Sequence, residues 1–293
     1  MHVACTEYLT LLHVGGRSSA DTDHGGVLAT FTGVLVRDGY AGYEHLPALH
    51  AWCGAHLLRD LRSVSEADPI GQLWATAMAD TLIAAHHAAT TARNAGQDRL
   101  DETTLATLLN HYLGALTKGR TDNLGKDSEL AYTARTLIRR FHRHQDMILR
   151  FTTDLTIPWT NNQAERDLRP VKIQQRTSGG CWRTLTGLTE FATVHSYLAT
   201  ATKWGENKLE ALTELFTTGP WLPPGPHAQL NSYLSIRSAR RRAGWDGSGM
   251  AIVRAKSRGA PRQTPRPNRS ARQVSAETPS VAGSSTKGTS PCG

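Results

Sequence analysis

The apolar positions of this chain change period along its length. Short apolar runs at residues 2–6 (HVACT) and 8–14 (YLTLLHV) predict two adjacent strands, and residues 33–37 (GVLVR) predict a third that ends at Asp38-Gly39. The polar, glycine-rich residues 15–26 between them read as a loop. From Glu44 to Val64 the residues Leu49, Trp52, Cys53, His56, Leu57 and Leu61 recur at helical spacing, which predicts a helix there. Between Pro69 and Phe151 the pattern is helical throughout, with helices expected at Leu73–Arg93, Leu105–Leu116 and Leu130–Leu149 and breaks at Asn94-Ala95-Gly96 and Lys118–Asp127. Pro158 then precedes Trp159-Thr160-Asn161-Asn162, a loop feeding a helix that Pro170 would cut short. A strand-like KIQQR at 172–176 follows, then helices at Leu185–Trp204 and Leu209–Phe216.

Strands in front and helices behind predict a mixed α/β core interrupted by an all-helical insertion. The expected segments are 1–64 and 153–225 for the two parts of the core, 65–152 for the insertion and 226–293 for a tail. No internal repeat is evident.

Composition changes this picture only at the C-terminus. The 293 residues carry a formal net charge of +8, but residues 226–293 hold +10 of it and residues 1–225 are close to neutral at −2. The tail is rich in Pro, Ser, Thr and Gly and shows no apolar periodicity after Trp245, so it is expected to be a basic, disordered extension. A charge argument for nucleic acid therefore concerns the tail or local patches, not the whole core. No apolar run approaches the ~18 residues of a membrane span, and no membrane is expected as a partner. Cys5, Cys53, Cys181 and Cys292 are widely spaced, which excludes a disulfide scaffold and a four-cysteine zinc site and suits a reducing cytosol.

Hydrolase, dinucleotide-fold and P-loop signatures are missing from the sequence. Two carboxylates stand out by position. Asp38 closes a buried-looking strand, where α/β sheets meet ligands and metals; the competing reading is an Asp-Gly turn. Glu165 lies in TNNQAERDLRPVK, where Asn162 could cap the helix and Glu165 complete a capping-box-like pair. Against that, Glu165, Arg169 and Lys172 fall at i, i+4 and i+7 on one helical face. A metal-binding carboxylate beside phosphate-binding cations is the equipment of phosphoryl transfer. Cys53-x-x-His56 has half of a zinc-finger spacing, with packing on a buried helix face as the alternative.

Taken together, GVLVRDGYAGY…HAWCGAHLLRDL, a helical stretch and then IPWTNNQAERDLRPVKIQQRTSGG resemble transposases of the insertion sequence 66 family, over about residues 1–224. The resemblance implies a DDE-type enzyme with an RNase H-like mixed-sheet core. In it three carboxylates would hold two Mg²⁺ (or Mn²⁺) ions for strand cleavage and joining on DNA. It maps the second Asp to Asp38 and the Glu to Glu165, as both catalytic residues and metal ligands. It brings His56, Asn161 and Asn162 near the active site, and gives Arg166, Arg169 and Lys172 contacts to DNA phosphates. The implied partners are transposon ends and target DNA, with homo-oligomers in intact relatives, in a bacterial cytoplasm at the nucleoid.

One departure stands out. The family's first Asp sits on a first core strand upstream of the one that HVACTEY resembles, and no such strand precedes residue 2 here. The expectation is an N-terminally truncated, inactive transposase core with an open sheet edge; Glu7, Asp21 and Asp23 are the only nearby acids. The alternative is a non-catalytic DNA-binding remnant that interferes with intact transposase.

Overall fold

The computed structural model describes residues 1–16, 18–177, 182–223 and, as backbone, 249–254. Its sheet has five strands: β1 (His2–Cys5), β2 (Thr10–His13), β3 (Val34–Arg37), β4 (Leu49–Trp52) and β5 (Gly249–Arg254), in the order β2-β1-β5-β3-β4. β1 pairs antiparallel with β2 and with β5, whereas β3 pairs parallel with β4 and β5. Between β2 and β3 lie two short helices, α1 (Ser19–Asp23) and α2 (Val27–Thr30). After β4 come α3 (Gly54–Ala67), α4 (Leu73–Asn94), α5 (Glu102–Asp122), α6 (Glu129–Arg143), α7 (Gln145–Thr153), α8 (Asn162–Thr177), α9 (Leu185–Trp204) and α10 (Lys208–Thr217).

Strand alternation assigns the two faces of the sheet. Ala4 of β1 and Leu35 of β3 point to one side, where Leu28, Tyr43, Leu46 and Ala48 cover them. On the other side Val3 and Cys5 pack with Leu12 against Ala164, Leu168 and Val171 of α8 and Ala192 of α9. On that side too, Val34 and Val36 meet Ala85, Ala89 and Ala92 of α4 together with Phe151, Leu155 and Ile157. A further core joins Leu57, Leu61, Trp74, Met78, Leu82, Tyr112, Ile138 and Phe141, which ties α3 through α6 together. The helical insertion therefore shares a core with the sheet, and the three segments expected over 1–225 fall within one compact unit, Met1–Ala255.

The helix starts follow from capping. Asp101 and Ser128 accept the N–H groups of Thr104 and Ala131 at α5 and α6, Thr184 accepts that of Gly187 at α9, and Asn207 those of Leu209 and Glu210 at α10. α9 stops at Gly205, whose φ of 93° is a left-handed conformation that glycine adopts without strain.

Five local expectations need correction. The helix expected from Glu44 begins only at Gly54; residues 49–52 are β4 instead. His50, Ala51 and Trp52 of β4 are all buried, and a four-residue strand buried on both faces carries no period that separates it from a helix. The strand-like 172–176 is the last part of α8, because the buried stripe Ala164, Leu168 and Val171 carries the helix through Pro170. Residues 19–23 in the expected loop form α1, capped by Ser18. The third insertion helix is two, α6 and α7, meeting at His144. Finally, residues 249–254 of the expected tail are β5, which fills the slot between β1 and β3 where an open edge was expected. Other residues of 226–293 lie outside the described residues.

Candidate functional site

Asp38 is the first residue past β3, and the strand beside it is parallel, so the Asp-Gly pair does not close a hairpin. The Asp38 carboxylate accepts the N–H of Tyr40 at 3.1 Å, a local turn that fixes the side chain. The turn is held from beneath by Arg37, only 1% exposed. Its Nε donates to His50 Nδ1 at 3.0 Å, and its Nη1 donates to the carbonyls of Asp38 and Tyr40 at 3.0 and 3.1 Å. Burial pulls the Arg37 pKa down while Glu44 and Asp38 pull it back up, and the guanidinium lies 5.8 Å from the centre of the Trp52 ring.

Cys53 follows β4 as Asp38 follows β3, and its N–H donates to the Arg37 carbonyl at 2.8 Å. Asp38 and the start of α3 thus lie side by side at the C-terminal edge of the parallel pair. The Cys53 thiol is buried, and Sγ accepts the N–H of Asn161 at 3.5 Å. Burial pushes its pKa up, against smaller opposing contributions from the N–H groups of Asn161, His56 and Ala55. A buried thiol of this kind packs, and the Cys53 and His56 side chains turn to different partners. His56 Nε2 faces Glu165 Oε1 at 3.6 Å, both groups being about one-third exposed, which is an ion pair only when the imidazole is protonated.

Glu165 reaches this edge because the loop before α8 is clamped. The N–H of Gly54 donates to the Trp159 carbonyl at 2.9 Å, and a Cβ on Gly54 would overlap the Trp159 indole. Only glycine admits that approach. The indole stacks on His86 of α4 with ring centres 4.1 Å apart. From there the chain turns into α8, whose first helical bond runs from the Glu165 N–H to the Asn161 carbonyl at 3.2 Å. Asn161, fully buried, takes the capping position, and Asn162 is the first residue of the helix; the expected Asn162 cap with Glu165 as its partner does not form.

α8 is fixed on its other side by a buried ion pair. Asp167 Oδ2 lies 2.9 Å from Lys203 Nζ of α9, with side chains 9% and 10% exposed. Asp167 also accepts from Thr10 Oγ1 and Gln163 Nε2, each at 2.7 Å, and Lys203 donates to the Thr6 and Leu9 carbonyls, each at 2.9 Å. Every donor of the ammonium and both carboxylate oxygens have partners, so β2, α8 and α9 are locked in one register. Along the outer side of α8, Arg166 and Arg169 are exposed and Lys172 is half-buried. Arg166 donates to Gln163 at 2.7 Å, and among the described residues neither Arg169 nor Lys172 has a carboxylate partner.

Asp38, His56, Asn161 and Glu165 are therefore joined through Cys53 at one sheet edge. The other acids are placed elsewhere. Glu7 lies in the β1–β2 turn at the opposite edge, Asp21 caps with Ser18 and is held below the usual carboxylate range by the Ser18 hydroxyl, and Asp23 pairs with His45 at 2.8 Å. Among the described residues no group of three His, Cys, Asp or Glu side chains is placed to hold one metal ion. The donor set does not fit a pair of ions.

Sequence reading passed over Arg37, Gly54, Trp159, Asp167 and Lys203, which position the site without entering it. Trp159 and Asp167 lie within the motif that carries the resemblance, but nothing local announces that Lys203, thirty-six residues further on, would be the partner of Asp167. No helix among the described residues is long and apolar enough to cross a membrane.

A search of curated proteins and a search of solved structures each return no match. The family model described as Transposase IS66 family matches residues 1–189, which spans β1 to β4, the helical insertion and the α8 motif with Asp38 and Glu165, and leaves β5 outside. The chain belongs to the IS66 family of transposases.

Proposed function

We propose that this chain is an IS66 transposase core, RNase H-like by descent, that grips DNA along α8 and does not cut it. Asp38 and Glu165 match two of the carboxylates that the family resemblance implies. The strand beside Asp38 on the inner side of the sheet is β5, whose residues Gly-Met-Ala-Ile-Val-Arg include no carboxylate. Two carboxylates and one partly buried imidazole are too few ligands to neutralise and bridge two Mg²⁺ or Mn²⁺ ions, which are hard cations that take several oxygen ligands each. No phosphoryl-transfer step is assigned to the site.

The observation that carries the DNA reading is the row Arg166, Arg169 and Lys172 beside Glu165 on one helix, exposed or half-exposed, none of the three having a carboxylate partner among the described residues. Cations spaced along a helix meet successive phosphates and set register without reading bases.

The test is fluorescence anisotropy of a labelled random-sequence duplex titrated with the full chain over a series of KCl concentrations, with and without EDTA. The expected result is binding that weakens steeply with salt and ignores EDTA. Arg166→Ala/Arg169→Ala/Lys172→Ala should flatten the slope of log K against log [salt] by about 2.7, at ~0.9 for each phosphate no longer neutralised. An unchanged slope in the triple variant would remove α8 from the interface.

A further inference from the structure

We propose that the gap between β1 and β3 is a strand-acceptor slot, filled in cis by the segment Gly249–Arg254, and that the same slot takes an extended peptide of that sequence in trans. The argument starts from backbone pairing. β1 has β2 on one side and β3 has β4 on the other, so without β5 the sheet is two separate pairs of four-residue strands. Two-stranded units of that size are marginal alone. With β5 in place every residue of β1 and β3 is buried, so the inner N–H and C=O groups of both strands take their partners from the strand between them. The slot therefore demands a strand, and one whose two edges can be used at once.

β5 meets that demand on both sides. His2, Val3, Ala4 and Cys5 pair antiparallel with Arg254, Val253, Ile252 and Ala251, while Val34, Leu35 and Val36 pair parallel with Gly249, Met250 and Ala251. α8 and β1 already form one wall of the slot and α8 packs on β5 as well. Recognition is by main-chain hydrogen bonds between two preformed edges, the chemistry of strand addition, which does not require the added strand to be covalently continuous with its neighbours. Residues 224–248 tether the segment, so in the intact chain the local concentration favours the cis occupant. The same six residues bring no carboxylate to the edge that holds Asp38, so the occupant completes the sheet without completing a metal site. This inference concerns the fold of the core and stands whether or not the core binds DNA.

The register supplies a direct probe. Ala251 stands opposite Cys5, a free cysteine. In the full-length Ala251→Cys variant, mild oxidation should give an intramolecular disulfide to Cys5, identified by peptide mapping and missing from Ala251→Cys/Cys5→Ser. A map without that bridge, or a bridge found only between two copies, would overturn the cis assignment. For the trans claim, Ala251→Pro/Val253→Pro in the full chain removes two N–H donors from the ladder. Amide exchange should then accelerate in β1 and β3 while α4 and α5 keep their protection. A peptide of residues 247–256 should restore the protection and a scrambled one should not. Unchanged exchange in the double variant, or no restoration by the peptide, would refute the slot. Should the double variant fail to fold, Ala251→Pro alone takes its place in the same exchange and peptide-restoration measurements, with the same results expected and the same results refuting the slot.

Discussion

Lys203→Met is the most informative single change to the scaffold that holds Glu165. Methionine keeps the length and apolar stem of lysine but removes the charge. At 2.9 Å from Asp167, and with both side chains at 10% exposure or less, the gross attraction is about 6 kcal/mol for an effective dielectric constant of ~20. Desolvation of both ions offsets much of that, so the net worth of the pair is far smaller than the cost of breaking it. What the variant leaves behind is a buried Asp167 carboxylate supported only by Thr10 and Gln163, and carbonyls of Thr6 and Leu9 without their donor. Removing one partner of such a pair costs about 3–5 kcal/mol. The two remaining hydrogen bonds to Asp167 put the expectation at the low end, about 3 kcal/mol. Adding Asp167→Leu to Lys203→Met removes the stranded charge and should recover at least about 1 kcal/mol, a sign that pairwise additivity would forbid. Urea unfolding followed by circular dichroism gives both numbers, provided the slope with urea is the same in each variant. A loss under about 1 kcal/mol for Lys203→Met would mean that the pair is solvated and does not fix α8.

Other consequences follow from the same packing. Gly54→Ala drives a methyl group into the Trp159 indole and should cost about 1–3 kcal/mol, with faster amide exchange at the start of α8 while α5 and α6 keep theirs. Burial lowers the pKa of His50, His86, His144 and His195 below 6.5, so near and below that pH the unfolded chain takes up more protons than the folded one. Stability should therefore be full above about pH 6.5 and fall as the pH is lowered through the folded values, measurable by urea unfolding at pH 7.5, 6.5 and 5.5; a flat profile would contradict the burial of these rings. Arg37→Met should loosen the turn after β3 by removing donors from the Asp38 and Tyr40 carbonyls, with a loss of about 3 kcal/mol and a raised exchange rate at Tyr40 as the measure.

The parts of the fold legible in the sequence are those with long periods or strong punctuation. α4, α9 and α10 begin and end within a residue or two of their expected limits, because 10 to 22 residues of apolar period and stops such as Ala95-Gly96 and Gly205 leave little choice. β4 and β5 were not legible. β4 has three buried residues in four and so shows no amphipathic period, and β5 is defined by its pairing with β1 and β3, far earlier in the chain. Met250-Ala251-Ile252-Val253 is an apolar run in an otherwise polar stretch, the one local signal β5 gives. At the site, the motif residues Asp38, His56, Asn161 and Glu165 do come to one sheet edge. Asn162 is already the first residue of the helix, one position earlier than the motif alone suggests, so the position before the helix falls to Asn161, whose carbonyl accepts the Glu165 N–H. The residues that hold the edge in place, Arg37, Trp159, Asp167 and Lys203, act through partners elsewhere in the chain, such as His86, 73 residues before the Trp159 that stacks on it.

The central claim is that this core holds DNA and lacks the ligands to cut it. The direct measurement is incubation of the purified full chain with an end-labelled duplex and Mg²⁺ or Mn²⁺, read on both a native and a denaturing gel. The account predicts a salt-sensitive shifted band on the first and an intact strand on the second, in either metal. Metal-dependent cleavage or joining products that disappear with Asp38→Ala and with Glu165→Ala would contradict it.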